Sequence, residues 1–523
     1  MSLADVKFNK GKNGLKRPLP GQDYISALIF YTATLPSGFT TNANIKAFFQ
    51  SLDAISAGIL NDYSDATPAI ATYLLTNAGA TGDIIQITSK DIDATGNYPT
   101  DSNGNALPPT VLCVYTKLSS DNTMTIFGQS ITAAINAGTL THGYSASFNT
   151  GTETITITAP KKFGVFLNTG NPITVTITGA IAGTLTQFSG GTFSAFAFYY
   201  YQISEFFRIQ PGGNLYVGFF PVPGLYTFGE VNTIQNFALG KLRQLGVHKD
   251  FASAYSASDL TALSTACVAS DGVHKPLSAL YSADMSGIAD ISVLTDLNTF
   301  TANKASDCIA MDANGQGHFL YKTSGKSVPA LGALLGTVAL SKVSESVGWV
   351  GKFNVSNGVE LEEIAFANGQ LYSSPAISDP LLNTLDNRRH IFLRKISGTD
   401  GTFWNAGNTA VSSSSDYAFI EDNRTIDKAI RGVYSSMVTA LNSPLTLNPD
   451  GTLTEETVAT LESQAQPNLQ SMVRAGELSD FSVSIDPNQT VLTTGELDVN
   501  VELLQEGVAR QIVVNIGFVP KIS

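Results

Sequence analysis

The chain has 523 residues, of which 43% are hydrophobic and only 14% are charged, so it can bury the cores of several domains and is not intrinsically disordered. Its net charge of −13 disfavours nucleic acid as the main partner, because phosphates are repelled by an acidic surface. The three cysteines, Cys113, Cys267 and Cys308, are far apart and odd in number, which predicts neither a disulfide framework nor a thiolate metal site and indicates a reducing cytoplasm.

The first residues have the composition of an extended arm. Residues 1–22 contain five basic side chains and two prolines and show almost no apolar periodicity. A frayed chain end has the same composition, so both interpretations stay open here. Pro18 and Pro20 interrupt any hydrophobic signal region, and the apolar run Ile25–Tyr31 is too short to cross a bilayer. The sequence therefore predicts neither a secretory signal nor a membrane span.

A β-rich block is predicted inside a globular core. The core begins with a strand over Ile25–Tyr31 and a helix around Ile45–Leu60. Between about residues 82 and 190, β-branched residues alternate with polar ones, as is typical of half-buried strands. The strands predicted there are Asp83–Thr88, Thr110–Thr116, Thr152–Thr158 and Ile173–Thr178. Because the earlier pattern resumes afterwards, we expect this block to be an insertion with a solvated face.

Strands and helices alternate after the block, which favours an α/β layer. The aromatic stretch Phe196–Pro221 predicts core packing and a buried strand over Leu215–Phe220. Gly332 and Gly336 share one face of a predicted helix over Val328–Val343 and would let another element approach closely. The remaining predictions are a helix through Ile234, Phe237, Ala238, Leu242 and Leu245, and short strands near Leu280, at Ile291–Leu294 and at Cys308–Met311.

An amphipathic helix is the clearest element of the C-terminal section. Its apolar stripe runs from Ile426 to Leu441 and begins after residues 423–425. Lys428 and Arg431 fall on its polar side. We expect the stripe to pack on the rest of the C-terminal section and the polar side to face outward.

Two more helices and a hairpin are predicted to follow. Thr452 and Glu455 form a capping box for a helix that Pro467 ends, and Gly476 follows the next helix. Strands are predicted over Glu496–Leu504 and Arg510–Val519, paired through a turn at residues 505–507. The last strand is long and apolar, so its free edge needs a covering partner.

Motifs for catalysis and cofactor binding are incomplete. The run Gly325–Ser327 resembles the end of a phosphate-binding loop, but Leu320 stands where that loop needs glycine. Asp312 begins a sequence like a calcium loop, but Thr323 occupies the glutamate position. The five histidines lack metal-ligand spacing, so no catalytic, cofactor-binding or metal-binding residue is predicted. A basic cluster could attract phosphate or, as the net charge favours, an acidic protein: Arg388, Arg389, Arg394 and Lys395.

Several segments are informative through their order along the chain. After the arm come GQDYISALIF, the β-rich block, YYQISEFFRIQPGGNLYVGF, and a C-terminal module reading RTIDKAIRGVYSSMV, MVRAGELSDFSVSID and GELDVNVELLQEGVARQIVVNIGFV. This arrangement resembles contractile tail sheath proteins, which occur in myophages and in phage-tail-like contractile injection systems. The likeness is strongest over residues 423–519 and 22–29, moderate over 196–246, and absent from the insertion.

The resemblance implies a structural subunit and no enzyme. It implies stacked hexameric rings that polymerise around an inner tube and contract to drive the tube through a target envelope. The particle would be assembled in the bacterial cytoplasm as part of a phage tail or an injection system. The implied partners are further copies of the chain, the inner tube protein, and baseplate and tail-terminator proteins, with no cofactor, no nucleic acid and no membrane insertion.

The resemblance also implies which residues make the contacts. Each subunit is expected to lend its arms to sheets of its neighbours, because strand addition pairs exposed main-chain groups. The region Ile426–Leu441 is expected to face the tube, with Lys428 and Arg431 offered to an acidic tube surface. The expected residues of the inter-subunit arms are Val6, Phe8, Leu15, Ile512, Val514, Ile516 and Phe518. Two alternatives stay open, a β-rich adhesin or fibre protein and an α/β enzyme.

The predicted fold class is a mixed α/β (α+β), multidomain protein. It has an α/β core, a C-terminal sheath module, terminal arms and an inserted β-rich domain. The predicted boundaries are an N-terminal extended arm at 1–22, a discontinuous core at 23–81 and 191–400, a β-rich outer domain at 82–190, a C-terminal inner module at 401–508, and an arm strand at 509–523.

Overall fold

The structure is a computed structural model that describes residues 22–94, 96–100 and 106–518. Helices and strands are combined in several sheets and separate hydrophobic clusters, so the predicted mixed α/β, multidomain class is confirmed. Val6, Phe8 and Leu15 of the predicted N-terminal arm lie outside the described residues, as does Val519.

The secondary structure elements are numbered along the chain. The strands are β1 (Ile25–Tyr31), β2 (Ile45–Phe48), β3 (Ile70–Ala78), β4 (Ile84–Ser89), β5 (Thr110–Thr116), β6 (Ser145–Asn149), β7 (Thr154–Thr158), β8 (Ile173–Thr178), β9 (Ile181–Ser189), β10 (Asn214–Phe220), β11 (Gln244–His248), β12 (Ser278–Ser282), β13 (Thr301–Ala302), β14 (Ala305–Asp307), β15 (Ala310–Asp312), β16 (Ile364–Phe366), β17 (Leu393–Ile396), β18 (Thr399–Trp404), β19 (Ala410–Val411), β20 (Leu478–Ser484) and β21 (Asn500–Gln505). The helices are α1 (Ser51–Ser56), α2 (Met124–Ala137), α3 (Thr139–His142), α4 (Ala195–Ile209), α5 (Glu230–Phe237), α6 (Ser258–Asp271), α7 (Gln316–Ser324), α8 (Leu331–Leu340), α9 (Asp379–Asn387), α10 (Ile420–Met437), α11 (Glu455–Arg474) and α12 (Val491–Thr494). Short 3-10 turns lie at Lys161–Phe163, Phe166–Asn168, Ile291–Val293, Leu297–Thr299 and Val438–Ala440.

A six-stranded sheet forms the centre of the core. Its order is β14-β12-β11-β1-β10-β2, and all neighbours are parallel except the antiparallel edge strand β2. Every residue of β1 is buried, because alternate side chains enter two different hydrophobic clusters. Leu28 and Phe30 pack with α4 and α8, whereas Ala27 and Ile29 pack with α5 and α6. Helices therefore cover both faces of the sheet.

Two glycines bring α8 against the backbone of α4, as the sequence predicted. A β-carbon at Gly332 would lie 2.0 Å from the Gln202 carbonyl oxygen, and one at Gly336 would lie 2.9 Å from the Phe206 carbonyl oxygen. The Gln202 side chain fixes the contact, since its Nε2 donates to the Pro329 carbonyl at 2.8 Å and its Oε1 accepts from the Gly332 amide at 2.7 Å. The aromatic stretch predicted as core forms α4 and β10.

The β-rich insertion has its own hydrophobic core. Its four-stranded sheet, β6-β7-β3-β9, and its three-stranded sheet, β5-β4-β8, enclose Phe127, Ile131 and Ile135 of α2. The first strand, β3, begins at Ile70, so the insertion starts before the predicted boundary at residue 82. The chain enters and leaves at one neck, where the Thr192 amide donates to the Thr67 carbonyl at 3.0 Å.

Two predicted core helices are shorter than expected. The region around Ile45–Leu60 divides into strand β2 and helix α1. The helix predicted to extend to Leu245 ends at Phe237, because Leu239 and Gly240 adopt positive φ angles of 56° and 74° and turn the chain into β11. The predicted strand at Ile291–Leu294 is a 3-10 turn, and the segment around Cys308–Met311 joins β14 to β15.

The C-terminal helices differ from the prediction at their ends. Helix α10 begins at Ile420, before the predicted start, and Thr454 rather than Thr452 caps α11. Helix α11 continues through Pro467, and burial of its Leu469 and Met472 against α10 stabilises the helix beyond the proline. Gly476 follows the helix with a φ of 66°, as predicted.

The predicted terminal hairpin is wrong. Strand β21 pairs with β20, which precedes it in the chain, and not with the segment after it. Residues 506–518 form no strand in the described part of the chain.

Replacing residues 69–190 by a short Gly-Ser linker should leave the core folded. The deletion keeps the contact between Thr67 and Thr192 at the neck. It exposes Phe319 of α7, which packs on the insertion, and this should lower the free energy of unfolding by about 1.5–3 kcal/mol. Circular dichroism and thermal unfolding of the purified variant test this.

Deleting residues 82–190 at the predicted boundaries is the matched control. It retains β3 but removes β7 and β9, its two partners, so this variant should aggregate. Equal behaviour of the two deletions would contradict the observed boundaries.

Candidate interaction site

The last described residues form an exposed apolar segment. Ile512, Val514, Ile516 and Phe518 have exposed fractions of 79%, 69%, 91% and 109%, and Val513 is 72% exposed. Ile512, Val514, Ile516 and Phe518 are the C-terminal residues predicted for an inter-subunit arm, and their side chains are largely exposed in the described part of the chain. Large exposed apolar surfaces in soluble proteins mark interaction sites.

The base of this segment is fixed to the start of α10. Arg510 Nη2 lies 2.8 Å from Glu421 Oε1, and its guanidinium lies 3.3 Å from the centre of the Phe419 ring. Gln505 Nε2 donates to Asp422 Oδ1 at 2.6 Å. These contacts hold the chain in place up to Arg510, and among the described residues that follow, 511–518, no side chain forms an ion pair.

The start of the described chain is held by the same helix. Lys428 Nζ lies 2.6 Å from Asp23 Oδ2 and 2.6 Å from Glu477 Oε1. Arg431 Nη2 lies 3.5 Å from Asp23 Oδ1. From residue 422 to residue 431 a helix rises about 14 Å, so Asp23 and the segment 505–510 are held close together along α10.

The expected orientation of α10 is wrong. The side chains of Lys428 and Arg431 are each only 8% exposed, so neither is offered to a tube surface. The apolar stripe is the more exposed side, with Ile430 at 43%, Tyr434 at 40% and Leu441 at 69%. The charged side points inward because distant segments supply partners for its charges.

Arginines beside these pairs are strongly desolvated. Burial, and next the nearby Arg431, lower the pKa of Arg243 to about 9. Burial likewise lowers the pKa of Arg424 to about 10, although Asp23 opposes the shift. Arg424 also donates to the Ser341 hydroxyl at 2.7 Å, which ties α10 to the end of α8.

Side chains of the predicted basic cluster bind carbonyl and carboxylate groups of the same chain. Arg388 Nη1 donates to the carbonyls of Ser292 and Leu294 at 2.6 and 3.0 Å, and Arg389 donates to the Ala418 carbonyl. Lys395 pairs with Glu362 at 3.2 Å. The cluster is therefore not a continuous surface for a partner.

A carboxylate pair occupies the calcium-like sequence. Asp312 accepts hydrogen bonds from the amides of Gly315 and Leu361 at 2.8 and 3.1 Å, and Glu360 accepts from the Gln316 amide at 3.0 Å. Burial, followed by the charge of Asp312, raises the pKa of Glu360 to about 7. Burial also raises the pKa of Asp312.

No group of three or more acidic, histidine or cysteine side chains in the described ranges could hold a metal ion. Within the same ranges, no helix is long and apolar enough to cross a membrane.

Two family models match the chain. One, described as DUF2586, N-terminal domain, matches residues 75–408, and the other, DUF2586, C-terminal domain, matches residues 416–523. The chain belongs to the DUF2586 family. No curated protein sequence matches this DUF2586 chain.

Several solved structures have a likeness to this DUF2586 chain. One is the helical sheath of the anti-feeding prophage in its contracted state, at 16% identity and a TM-score of 0.42, covering 61% of this chain and 81% of that one. Another is the PVC sheath complex of an extracellular contractile injection system in its contracted state, at 16% identity and a TM-score of 0.39, covering 61% and 80%. A third is a sheath tail protein from Listeria innocua, at 9% identity and a TM-score of 0.34, covering 92% and 95%.

Lys428→Met should destabilise the fold by about 3–5 kcal/mol, because it leaves the carboxylates of Asp23 and Glu477 buried without this cation. Lys395→Met, which removes a pair whose side chains are 33% and 40% exposed, should cost about 0–1 kcal/mol. Urea denaturation of both variants measures the difference. Equal midpoints would contradict the structural role of Lys428.

Glu360→Gln should flatten the pH dependence of stability. A raised pKa means that the folded state binds the proton more tightly than the unfolded chain, so stability falls as pH rises from the ordinary value of 4.5 through about 7. Glutamine is neutral at every pH, as protonated glutamate is, so the variant does not lose this stability when the pH rises. Urea midpoints of the two proteins should be similar below pH 4.5 and should separate as pH rises from 4.5 through about 7, with the variant more stable. A constant difference across this pH range would refute this role.

Proposed function

We propose that this DUF2586 protein is a structural subunit of a contractile tail sheath, with no catalytic role. In this proposal it polymerises with itself as stacked hexameric rings around an inner tube and contracts to drive the tube through a target envelope. Baseplate and tail-terminator proteins are the further partners, and the particle is a phage tail or an injection system assembled in the bacterial cytoplasm.

The exposed C-terminal segment is the observation that carries the proposal. Ile512, Val514, Ile516 and Phe518 alternate along the chain, as on one face of a strand, yet no strand forms. Pairing with an open sheet edge of a neighbouring subunit would satisfy the main chain at about 0.5–1.5 kcal/mol net per hydrogen bond and bury the side chains. The two-stranded sheet of β20 and β21 has such open edges within the described chain.

The contacts of Asp23 and Arg510 with the same helix support a lattice of connected subunits. Asp23 and Arg510 both contact α10, so a displacement of this helix moves the bases of both arms together. Arms held by main-chain pairing tolerate rotation of the attached body, which contraction requires. The exposed apolar side of α10, which includes Ile430 and Tyr434, adds apolar surface for contacts in an assembly.

The alternatives explain fewer of these observations. A fibre built from β domains would not need the packed helix pair α10 and α11 or the central sheet covered by helices. An α/β enzyme would not need an exposed apolar segment anchored at its base by Arg510.

Val514→Pro should abolish polymers and leave a folded monomer. Proline removes a main-chain donor from the arm, and the side chain of Val514 is 69% exposed in the single chain, so the fold loses little. Truncating residues 1–20 should have the same effect. Negative-stain electron microscopy and sedimentation velocity measure assembly, and circular dichroism measures folding.

Val514→Thr is the matched control, because threonine keeps both the donor and the β-branched shape. It should assemble like the unaltered protein. Normal sheaths formed by the proline variant would refute arm exchange, and an unaltered protein that remains monomeric at high concentration would refute the sheath role.

A further inference from the structure

Lys304 connects the core to the C-terminal module. It lies in the turn between β13 and β14, and its Nζ is 2.5 Å from Oδ1 of Asp427 on α10. The same Nζ is 3.4 Å from Oδ2 of Asp271, the last residue of α6. The side chains of Lys304 and Asp427 are only 6% and 3% exposed, so an amine and a carboxylate are in contact and almost free of solvent.

Two oxygens of this cluster have no hydrogen-bond partner among the described residues. They are Asp427 Oδ2 and Asp271 Oδ1, and both are buried. Buried carboxylate oxygens in folded proteins are nearly always satisfied, so the pair of unsatisfied atoms requires an explanation. The ion pairs of Lys428 differ from this cluster. In the described structure, its partners Asp23 and Glu477 have no buried oxygen without a hydrogen bond.

We propose that Lys304 and Asp427 become joined by an intramolecular isopeptide bond, with Asp271 as the acid that assists its formation. An amide is neutral, so the bond removes two buried charges whose desolvation is costly. The fold already holds the two reacting groups at contact distance. The reaction therefore avoids the loss of translational and rotational entropy that it would have between separate molecules.

The reaction is a condensation without any oxidant or reductant. The Lys304 ammonium first transfers a proton to the Asp427 carboxylate, and the freed Nζ electron pair attacks Cγ of Asp427. The bond from Nζ to Cγ forms, the bond from Cγ to one carboxyl oxygen breaks, and that oxygen leaves as water. Ammonium and carboxylate thus become one amide and one water molecule.

Asp271 is suited to donate the proton that the leaving oxygen needs. Its carboxylate then takes the surplus proton from Nζ, so Asp271 ends protonated as it began and one amide and one water result. Burial raises the pKa of Asp271 to about 6, although Lys304 opposes the shift, so a protonated form is accessible near neutral pH. Burial lowers the pKa of Lys304, but Asp427 and Asp271 raise it more, so the shift is upward. The resting side chain is therefore an ammonium, and it must pass a proton to Asp427 before Nζ can attack.

The bond would link the β13–β14 turn to α10 covalently. The core and the C-terminal module would then be joined at Lys304 and Asp427 in addition to the chain between them. The inference does not depend on the sheath role and is tested separately from it.

Mass spectrometry of the denatured full-length protein tests the bond. The expected mass is lower than that of the translated chain by one water molecule, and trypsin should fail to cleave after Lys304. The peptides carrying Lys304 and Asp427 should appear as one linked species, whereas those carrying Lys428 and Glu477 should be free, which is the internal control. A full mass with cleavage after Lys304 would overturn the proposal.

Asp271→Asn tests the role of the acid while keeping both bonded residues. It should fold, as judged by circular dichroism, and show the full mass with a free Lys304 peptide. Asp427→Ala should also show the full mass, even if it is recovered only from denaturant. A linked species in Asp271→Asn would refute the part assigned to Asp271, and a loss of water in Asp427→Ala would refute the assignment of the bond.

Discussion

Charges buried on one helix determine how the parts of this protein are held together. A charged side chain that is removed from water needs a partner of opposite charge. Without one, the free energy of unfolding falls by several kcal/mol. On α10, Lys428 meets Asp23 and Glu477, while Asp427 meets Lys304. The helix therefore binds the start of the core, the turn between β13 and β14, and the connection after α11 at the same time. Separating any of these would leave a buried charge without its partner.

The elements that depend on local pattern were predictable from the sequence. Strands β1, β5 and β8 have the predicted bounds, because side-chain alternation and continuous apolar runs are properties of neighbouring residues. The close approach at Gly332 and Gly336 was predictable for the same reason, since their spacing alone places them on one helix face. The mixed α/β class follows from the alternation of such elements.

What the sequence could not show are contacts between distant segments. The polar face of α10 has the pattern of a solvated surface, and only the fold brings Asp23 to Lys428. Helix α11 continues past Pro467 because packing of Leu469 and Met472 outweighs the local preference to stop. The pairing of β21 with β20 also lies beyond local pattern, since Glu496–Leu504 and Arg510–Val519 look equally suited to each other.

The narrow neck of the insertion has a consequence for how such chains diversify. Hydrogen bonds between Thr67 and Thr192 fix the distance that any intervening chain must close. The entropic cost of closing a loop grows only with the logarithm of its length, by about 0.6 kcal/mol for each doubling. Recombination can therefore exchange one surface module for a larger, smaller or unrelated one without changes to the core. The same position is suitable for inserting a foreign domain.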